Sequence, residues 1–227
     1  MENLLKFPQK TIIDRLIPKA QFVKVSSNPT ALRNLLAEEF EQIRLLYILR
    51  PDTINVDEGN EVKEIDVFFF KCKEDCYSIN PFCGIDDLIP RHTIYIVQYG
   101  KSTDLLIQHK RRSEIAGKVK WTREVSHLLR NVDLSSSPLQ IEGLNLDSVY
   151  FNFLSQVSGY HIQNSETVSE IKGYEEQLSK LNREAQALQK RVRNEKQFNR
   201  QIEFNTQLRE IKKKITELEN RLAELKK

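Results

Sequence analysis

The chain has 227 residues, of which 39% are hydrophobic and 30% charged, and its formal net charge is +3. This length suits one compact domain of about 160 residues followed by a tail. No charged segment followed by an apolar stretch opens the sequence, and no stretch approaches the length of a membrane span, so we expect a cytoplasmic protein without membrane contact.

The charge is divided unevenly along the chain. From residue 165 onward there are 15 Lys and Arg residues against 11 Glu, which leaves 20 basic and 21 acidic residues in the preceding part. The first part is therefore nearly neutral, and only the tail is basic.

The cysteines and histidines do not form a recognisable site in the sequence. Cys72, Cys76 and Cys83 are an odd number without the paired spacing of a disulfide framework or a zinc site, and His92 is too distant to be a fourth ligand. The four histidines are scattered, and a lone histidine beside a strand is more often a surface or structural residue than a base. We expect no metal and no other cofactor.

The first elements are predicted from proline and apolar spacing. Thr11 to Phe22 is expected to be an extended or capped opening segment, because a proline interrupts any helix started there. Asn28 followed by Pro29 has the pattern of a helix N-cap with proline at the first helical position. Apolar residues then recur at helical spacing as far as Tyr47, which predicts one long core helix ending before Pro51.

The rest of the first part predicts a sheet and a final helix. Apolar and β-branched segments predict strands at Thr53 to Val56, Val62 to Phe70, Thr93 to Tyr99, Leu105 to His109 and Lys118 to Val125. We expect the sheet to be central and mostly antiparallel. Asp147 is predicted to cap an amphipathic helix that stops at Gly159. These elements together predict an α+β head over residues 1–164.

The tail, residues 165–227, is predicted to be a helical coiled coil. It contains no proline and one glycine, Gly173. One heptad stripe runs from Ile171 to Val192 and another from Leu208 to Leu225, two residues out of register with the first. Single stutters or stammers do not produce this offset, so we favour an antiparallel hairpin with its tip at Asn194 to Asn205. That segment lacks a turn-forming glycine or proline, and one straight helix of about 90 Å stays an alternative.

The middle of the tail is a basic patch. Between Lys190 and Lys214, nine Lys and Arg residues stand against three Glu, a net charge of +6. Clustered cations favour sequence-independent contact with phosphates, although such runs are also typical of a solvated helix face. Phe198 and Phe204 could stack on bases, but we expect them to pack a helix turn. The residues predicted to bind nucleic acid or an acidic partner are Arg191, Arg193, Lys196, Phe198, Arg200, Arg209 and Lys212.

A metal-dependent nuclease is the catalytic alternative. A restriction-like nuclease needs a carboxylate on one strand and an acidic or glutamine residue two positions before a lysine on the next. The closest set is Asp66, or Glu64, with Gln108 and Lys110. Because a helix and another strand are expected to intervene, outward-facing charges on a half-buried strand are the competing interpretation. No glycine-rich phosphate loop or nucleophile elbow is present.

Six segments carry a resemblance to a known family. They are TIIDRLIPKAQF (Thr11 to Phe22), RPDTINV (Arg50 to Val56), EIDVF (Glu64 to Phe68), IDDLIPRHTIYIVQY (Ile85 to Tyr99), IEGLNLDSVYFNF (Ile141 to Phe153) and EKQFNRQIEFN (Glu195 to Asn205). Nearly end to end, the chain resembles the bacterial domain-of-unknown-function family 4391. The resemblance implies a gene context beside helicases and methyltransferases in phage-defence or restriction-like clusters. It implies no catalytic residue, and it suggests that the polar tip is a family element.

These observations predict a non-catalytic interaction subunit of a bacterial phage-defence or restriction-like assembly. The head would dock to a larger ATPase, helicase or methyltransferase. The tail would form a homodimer or present its basic middle to DNA, RNA or an acidic partner surface. A stand-alone nucleic-acid-binding module and a metal-dependent nuclease are the two alternatives.

Overall fold

A computed structural model describes residues 3–115, 117–135 and 139–226 of the chain. The chain divides into two compact units, Met1–Asn164 and Ser165–Lys227, which we call the head and the tail. Within the described ranges, no helix has both the length and the apolar character needed to cross a membrane.

The described part of the head contains a six-stranded sheet whose strands lie side by side in chain order. The strands are β1 (Ile12–Leu16), β2 (Phe40–Leu49), β3 (Ile65–Cys72), β4 (His92–Tyr99), β5 (Ser102–Ile115) and β6 (Lys118–Leu129). Four of the five neighbouring pairs are antiparallel, and β3 and β4 are parallel. The predicted mostly antiparallel sheet is therefore confirmed. Because parallel neighbours cannot be joined by a tight hairpin, a longer helical connection links β3 to β4.

Helices cover both faces of this sheet. The described residues of the head form α1 (Lys19–Val25), α2 (Pro29–Glu39), α3 (Pro51–Ile54), α4 (Asn80–Asp86) and α5 (Leu146–Ser158). Helices α1, α2 and α4 share one hydrophobic core with the sheet, in which the Phe82 ring of α4 lies 5.5 Å from that of Tyr95. Tyr150 of α5 contacts His92, whereas the next residue, Thr93, contacts α4. Successive strand residues point to opposite faces, so α5 lies on the other side.

The predicted long helix from Asn28 to Tyr47 is wrong beyond Glu39. Its start is confirmed, because Asn28 Oδ1 accepts a hydrogen bond from the Ala31 N–H at 3.3 Å. At Phe40, however, the chain enters β2, which pairs with β1 on one side and β3 on the other. A strand buried on both faces reads as a nearly continuous apolar run, and periodicity alone cannot distinguish it from a buried helix.

The predicted strand at Thr53 to Val56 is also wrong. Pro51 instead begins the short helix α3, since proline suits the first helical position. Asn55 ends that helix in the left-handed conformation with φ of 57°, which asparagine tolerates better than most residues. The later predicted strands correspond to β3 through β6, although β5 continues to Ile115 and β6 to Leu129.

Helix α5 has the predicted end but a different cap. Asn145 is the N-cap, and its Oδ1 accepts from the Ser148 N–H at 2.9 Å. The predicted cap, Asp147, instead accepts hydrogen bonds from the backbone N–H groups of residues 60 to 62, the shortest at 2.6 Å. Gly159 ends the helix in the left-handed conformation with φ of 74°, as predicted.

The tail consists of two helices that pack against each other, α6 (Ser165–Asn194) and α7 (Phe198–Glu224). Near their connection, Gln201 Nε2 donates to the Val192 carbonyl at 3.1 Å. Far from it, the Arg221 guanidinium lies 5.9 Å from the centroid of the Tyr174 ring. The two helices therefore run in opposite directions.

The break between α6 and α7 falls inside the predicted tip. Only residues 195–197 separate the helices, and this connection contains neither glycine nor proline. The Glu195 carboxylate accepts hydrogen bonds from the backbone N–H groups of Lys196 and Gln197, both at 2.9 Å. A side chain thus satisfies the exposed backbone donors and closes the turn without special backbone conformations.

Candidate functional site

A row of polar side chains crosses the sheet on the face that carries α4. Asp66 on β3 pairs with Thr93 on β4, and Thr93 pairs with Gln108 on β5. Gln108 in turn pairs with Ser126 on β6. Residues directly opposite each other in a sheet point to the same side. Thr93 Oγ1 donates to the Asp86 carboxylate of α4, so the whole row faces that helix.

Lys110 lies beneath α4 and binds the backbone at the end of that helix. Its Nζ donates to the carbonyls of Asp86 at 2.9 Å and Ile89 at 2.7 Å, and it lies 3.2 Å from Asp86 Oδ1. The same carboxylate oxygen accepts from Tyr95 OH at 2.7 Å. Burial lowers the pKa of Lys110 and raises that of Asp86, and the attraction between the two opposes both shifts. With 1% of its surface exposed, Lys110 cannot reach a phosphate in solution.

The three residues of the nuclease interpretation therefore do not converge on one site. Asp66 and Gln108 share a row, but β4 lies between their strands. Gln108 Nε2 donates to Ser126 Oγ at 3.2 Å, and Lys110 is bound to Asp86. Across the described ranges, no group of three or more His, Cys, Asp or Glu residues could hold a metal ion. The three cysteines are free thiols.

Asp66 has a different set of neighbours. Arg91 Nη1 lies 3.1 Å from both Asp66 Oδ2 and Glu64 Oε1, and Arg50 pairs with Glu64 from the other side. Asp66 Oδ1 has no hydrogen-bond partner among the described residues. Burial raises the pKa of Asp66 to about 6 against the opposing attraction of Arg91, and the Glu64 carboxylate adds to the rise.

A cavity of about 240 Å³, which we call the Asp66 cavity, opens beside this carboxyl group. Its wall is mostly apolar and includes Ile17, Phe22, Leu45, Phe68, Leu88 and Ile89. Its remaining polar lining comes from Arg15, Gln21 and Arg91. A neighbouring cavity of about 360 Å³ shares Arg91 and is lined by Lys63, Arg112 and Trp121 among others.

Sequence reasoning missed Arg15, Asp86 and Arg91. These residues lie on separate elements, and only the strand order brings them near Asp66 or Lys110. One signal was present, because Asp66 is the only charged residue in the apolar run from Ile65 to Phe70. A charge inside such a run indicates a buried partner or a site.

Two histidines lie together on the opposite face of the sheet, beneath α5. The Tyr150 ring lies 4.5 Å from that of His92 and 5.8 Å from that of His109. His92 Nε2 is 3.2 Å from the Lys110 carbonyl, and His109 Nε2 is 3.5 Å from Glu124 Oε2. Burial lowers the pKa of His92 to about 4 and that of His109 to about 3. Both rings are therefore neutral members of the core at pH 7.

The tail carries its positive charge on an open surface. The nine Lys and Arg residues from Lys190 to Lys214, which we call the tip cations, are all exposed, and none forms an ion pair with a described residue. Phe198, in the first turn of α7, is 72% exposed, so the expectation that it packs a helix turn is wrong. Phe204 is half-buried and lines a shallow cavity together with Arg191.

Comparison with known proteins gives a family and no further relative. A family model described as "Domain of unknown function (DUF4391)" matches residues 5–215. No curated protein and no solved structure matches the chain.

Proposed function

The chain belongs to the DUF4391 family, and we propose that it is a non-catalytic interaction subunit of a bacterial phage-defence or restriction-like complex. In this proposal the tail forms a coiled-coil hairpin whose basic end contacts DNA or RNA. The head docks to a larger partner such as a helicase, an ATPase or a methyltransferase.

The observation that carries the proposal is the charge distribution of the tail. The segment from Lys190 to Lys214 has a net charge of +6, whereas the rest of the tail has 6 basic and 8 acidic residues. The tip cations lie at the end of α6, in the connection and along α7 as far as Lys214. Exposed cations without protein partners are free to neutralise phosphates and release counterions, and the exposed Phe198 ring offers a surface on which a base can stack.

Homodimerisation through the tail is the weaker candidate for its role. Leu208, Leu218 and Leu222 of α7 are buried within a single chain. A seam that is already covered does not need a second copy to bury its leucines. The open surface between Lys190 and Lys214 is basic, which favours an anionic partner there.

Docking of the head is supported by its sheet edge. Strand β1 lies at the edge of the sheet and has a neighbour on one side only. Ile13 and Leu16 of this strand are 42% and 54% exposed. Exposed edges with large apolar side chains pair readily with another chain. A Leu16→Lys variant should therefore lose co-purification with a helicase or methyltransferase encoded beside the gene, while the Lys101→Gln variant should retain it.

The nucleic-acid contact can be tested by fluorescence anisotropy with labelled single- and double-stranded DNA and RNA at two salt concentrations. In the test variant, six tip cations are replaced by glutamine: Arg191, Arg193, Lys196, Arg200, Arg209 and Lys212. Each phosphate contact contributes about 0.9 to the salt slope on duplex DNA, so the slope should fall by up to about 5. A matched variant, with Lys172→Gln and Arg221→Gln at the far end of the two helices, should bind like the native chain.

Three results would separate the alternatives. Binding that is insensitive to salt and to the six substitutions would contradict a phosphate-facing tip. Magnesium-dependent cleavage that is lost in Asp66→Ala would instead favour the nuclease alternative. Binding to nucleic acid without any stable protein partner would favour a stand-alone module.

A further inference from the structure

The Asp66 cavity combines an apolar wall, one buried carboxylate and a cationic rim. Phe22 and Phe68 are buried in its wall, with ring centroids 6.5 Å apart. Its volume of about 240 Å³ is slightly below the roughly 300–1,000 Å³ of typical small-molecule sites. The cavity is therefore sized for a single ring system rather than for an extended ligand.

The lining of the cavity includes a buried carboxylate, one oxygen of which has no donor among the described residues. Asp66 is 1% exposed, and its Oδ2 contacts Arg91 Nη1 at 3.1 Å. Its Oδ1 makes no hydrogen bond to any residue that the structure describes. Other buried side-chain atoms in the described residues also lack a hydrogen-bond partner, but Asp66 is the only residue among them that lines this cavity, and a buried acceptor without a donor is unfavourable. An N–H group on a bound ligand would supply the missing hydrogen bond.

The rim of the cavity favours a negatively charged ligand group. Arg15 is exposed and has no ion-pair partner among the described residues. The Arg91 side chain is 49% exposed, although it also contacts Asp66 and Glu64. Guanidinium groups bind phosphate oxygens with particular strength. A ligand that fits both parts of the site has an apolar ring with an N–H donor and an anionic group outside the ring.

We propose that the Asp66 cavity binds a nucleotide. The base packs against the apolar wall, one of its N–H groups donates to Asp66 Oδ1, and the phosphate lies at Arg15 and Arg91. The nucleotide is either free or the terminal or extruded nucleotide of a strand, because both sources present the same groups. This site is in the head, is distinct from the tip cations, and goes beyond the function proposed for the tail.

Two simpler ligands use only part of the site. A lysine or arginine side chain from a partner would satisfy Asp66, but it would bring a positive charge against Arg15 and Arg91. Inorganic phosphate would be held by the arginines, but it would leave Asp66 Oδ1 and the apolar wall unused. Among these three ligands, only a nucleotide donates to Asp66 Oδ1, covers the apolar wall and matches the charge of the arginines.

The proposal is tested on the full chain with adenosine, guanosine and cytidine 5′-monophosphates, with the corresponding nucleosides, and with short single-stranded oligonucleotides. Saturation-transfer NMR should show stronger transfer to base protons than to ribose protons. By calorimetry, Asp66→Asn should weaken nucleotide binding about tenfold or more. Arg15→Gln should weaken binding of the nucleotides but not of the nucleosides. The matched Arg33→Gln variant, which changes an exposed arginine outside the cavity, should bind normally.

The source of the nucleotide and the role of the tail are separated by two further comparisons. Tighter oligonucleotide binding with the same dependence on Asp66 indicates a strand nucleotide, and binding of monophosphates alone indicates a free one. Replacing the six tip cations by glutamine should leave monophosphate binding unchanged. The proposal is overturned if no nucleotide binds up to millimolar concentration, or if Asp66→Asn and Arg15→Gln, both with native urea midpoints, bind like the native chain.

Discussion

Acidification from pH 7 to pH 5 should destabilise the head through His92 and His109. Their pKa values of about 4 and about 3 lie below the ordinary histidine value of about 6.5. The unfolded chain therefore binds protons that the native core excludes. The stability contributed by each neutral, buried ring is complete above pH 6.5 and is lost as the pH falls.

The magnitude follows from these values. At pH 5 a histidine in the unfolded chain is almost fully protonated, whereas either ring in the native state is almost fully neutral. Relative to pH 7, each histidine therefore lowers the free energy of unfolding by roughly 2 kcal/mol, and the pair lowers it by about 4 kcal/mol. Asp66 acts in the opposite direction, because burial raises its pKa to about 6. Between pH 7 and pH 5 its protonation removes a buried charge and raises the free energy of unfolding by roughly 1 kcal/mol. We expect a net loss of about 2–3 kcal/mol in the free energy of unfolding.

Urea titrations at pH 7, 6 and 5 measure this loss directly. In His109→Phe one titrating group is removed while the aromatic surroundings of Tyr150 and Phe151 are kept. Between pH 6 and pH 5 the free energy of unfolding of this variant should fall by about 1 kcal/mol less than that of the native chain. Equal slopes for the native chain and His109→Phe would refute the reasoning.

Three further substitutions test structural roles by urea denaturation. Lys110→Met should destabilise the head by roughly 3–5 kcal/mol, because it leaves the Asp86 carboxylate buried without its cation. Adding Asp86→Asn should restore part of this loss. A Lys110→Met variant with the native urea midpoint would contradict this role. Gly159→Ala should cost about 1–2 kcal/mol, since its φ is 74° but a Cβ would meet no atom. Gly143→Ala should cost more, because its Cβ would lie 2.7 Å from the Val149 nitrogen at a φ of 147°, and the reverse order of midpoints would count against the argument.

Local signals were sufficient where an element is specified by its own sequence. Asn28 before Pro29 marked the start of α2, and Gly159 marked the end of α5, because caps act within one turn. The helix prediction for the segment from Phe40 to Leu49 was wrong for the opposite reason. The conformation of this segment depends on pairing with β1 and β3, and a run of apolar residues does not indicate which strands will pair with it.

The candidate sites divide in the same way. The basic character of the tip was predictable, since charge is a property of composition and does not depend on which elements pack together. The Asp66 cavity was not, because its lining comes from β1, α1, β2, β3 and the segment after α4. Those elements meet only when β1 lies beside β2 and the crossover after β3 returns to the same face.

Asp66 and Lys110 drew attention as the two charges of a nuclease, and the structure gives them opposite situations. The Lys110 ammonium has three partners within the fold, two backbone carbonyls and one carboxylate. Asp66 is equally buried, but one of its oxygens is left without a donor beside an open cavity. A buried ionisable group whose hydrogen bonds are complete leaves no polar atom for a ligand to satisfy, whereas an incomplete one is retained at a cost that a ligand can remove. The difference in their partners, rather than the strength of their pKa shifts, makes Asp66 the residue to examine for binding and Lys110 a residue of the core.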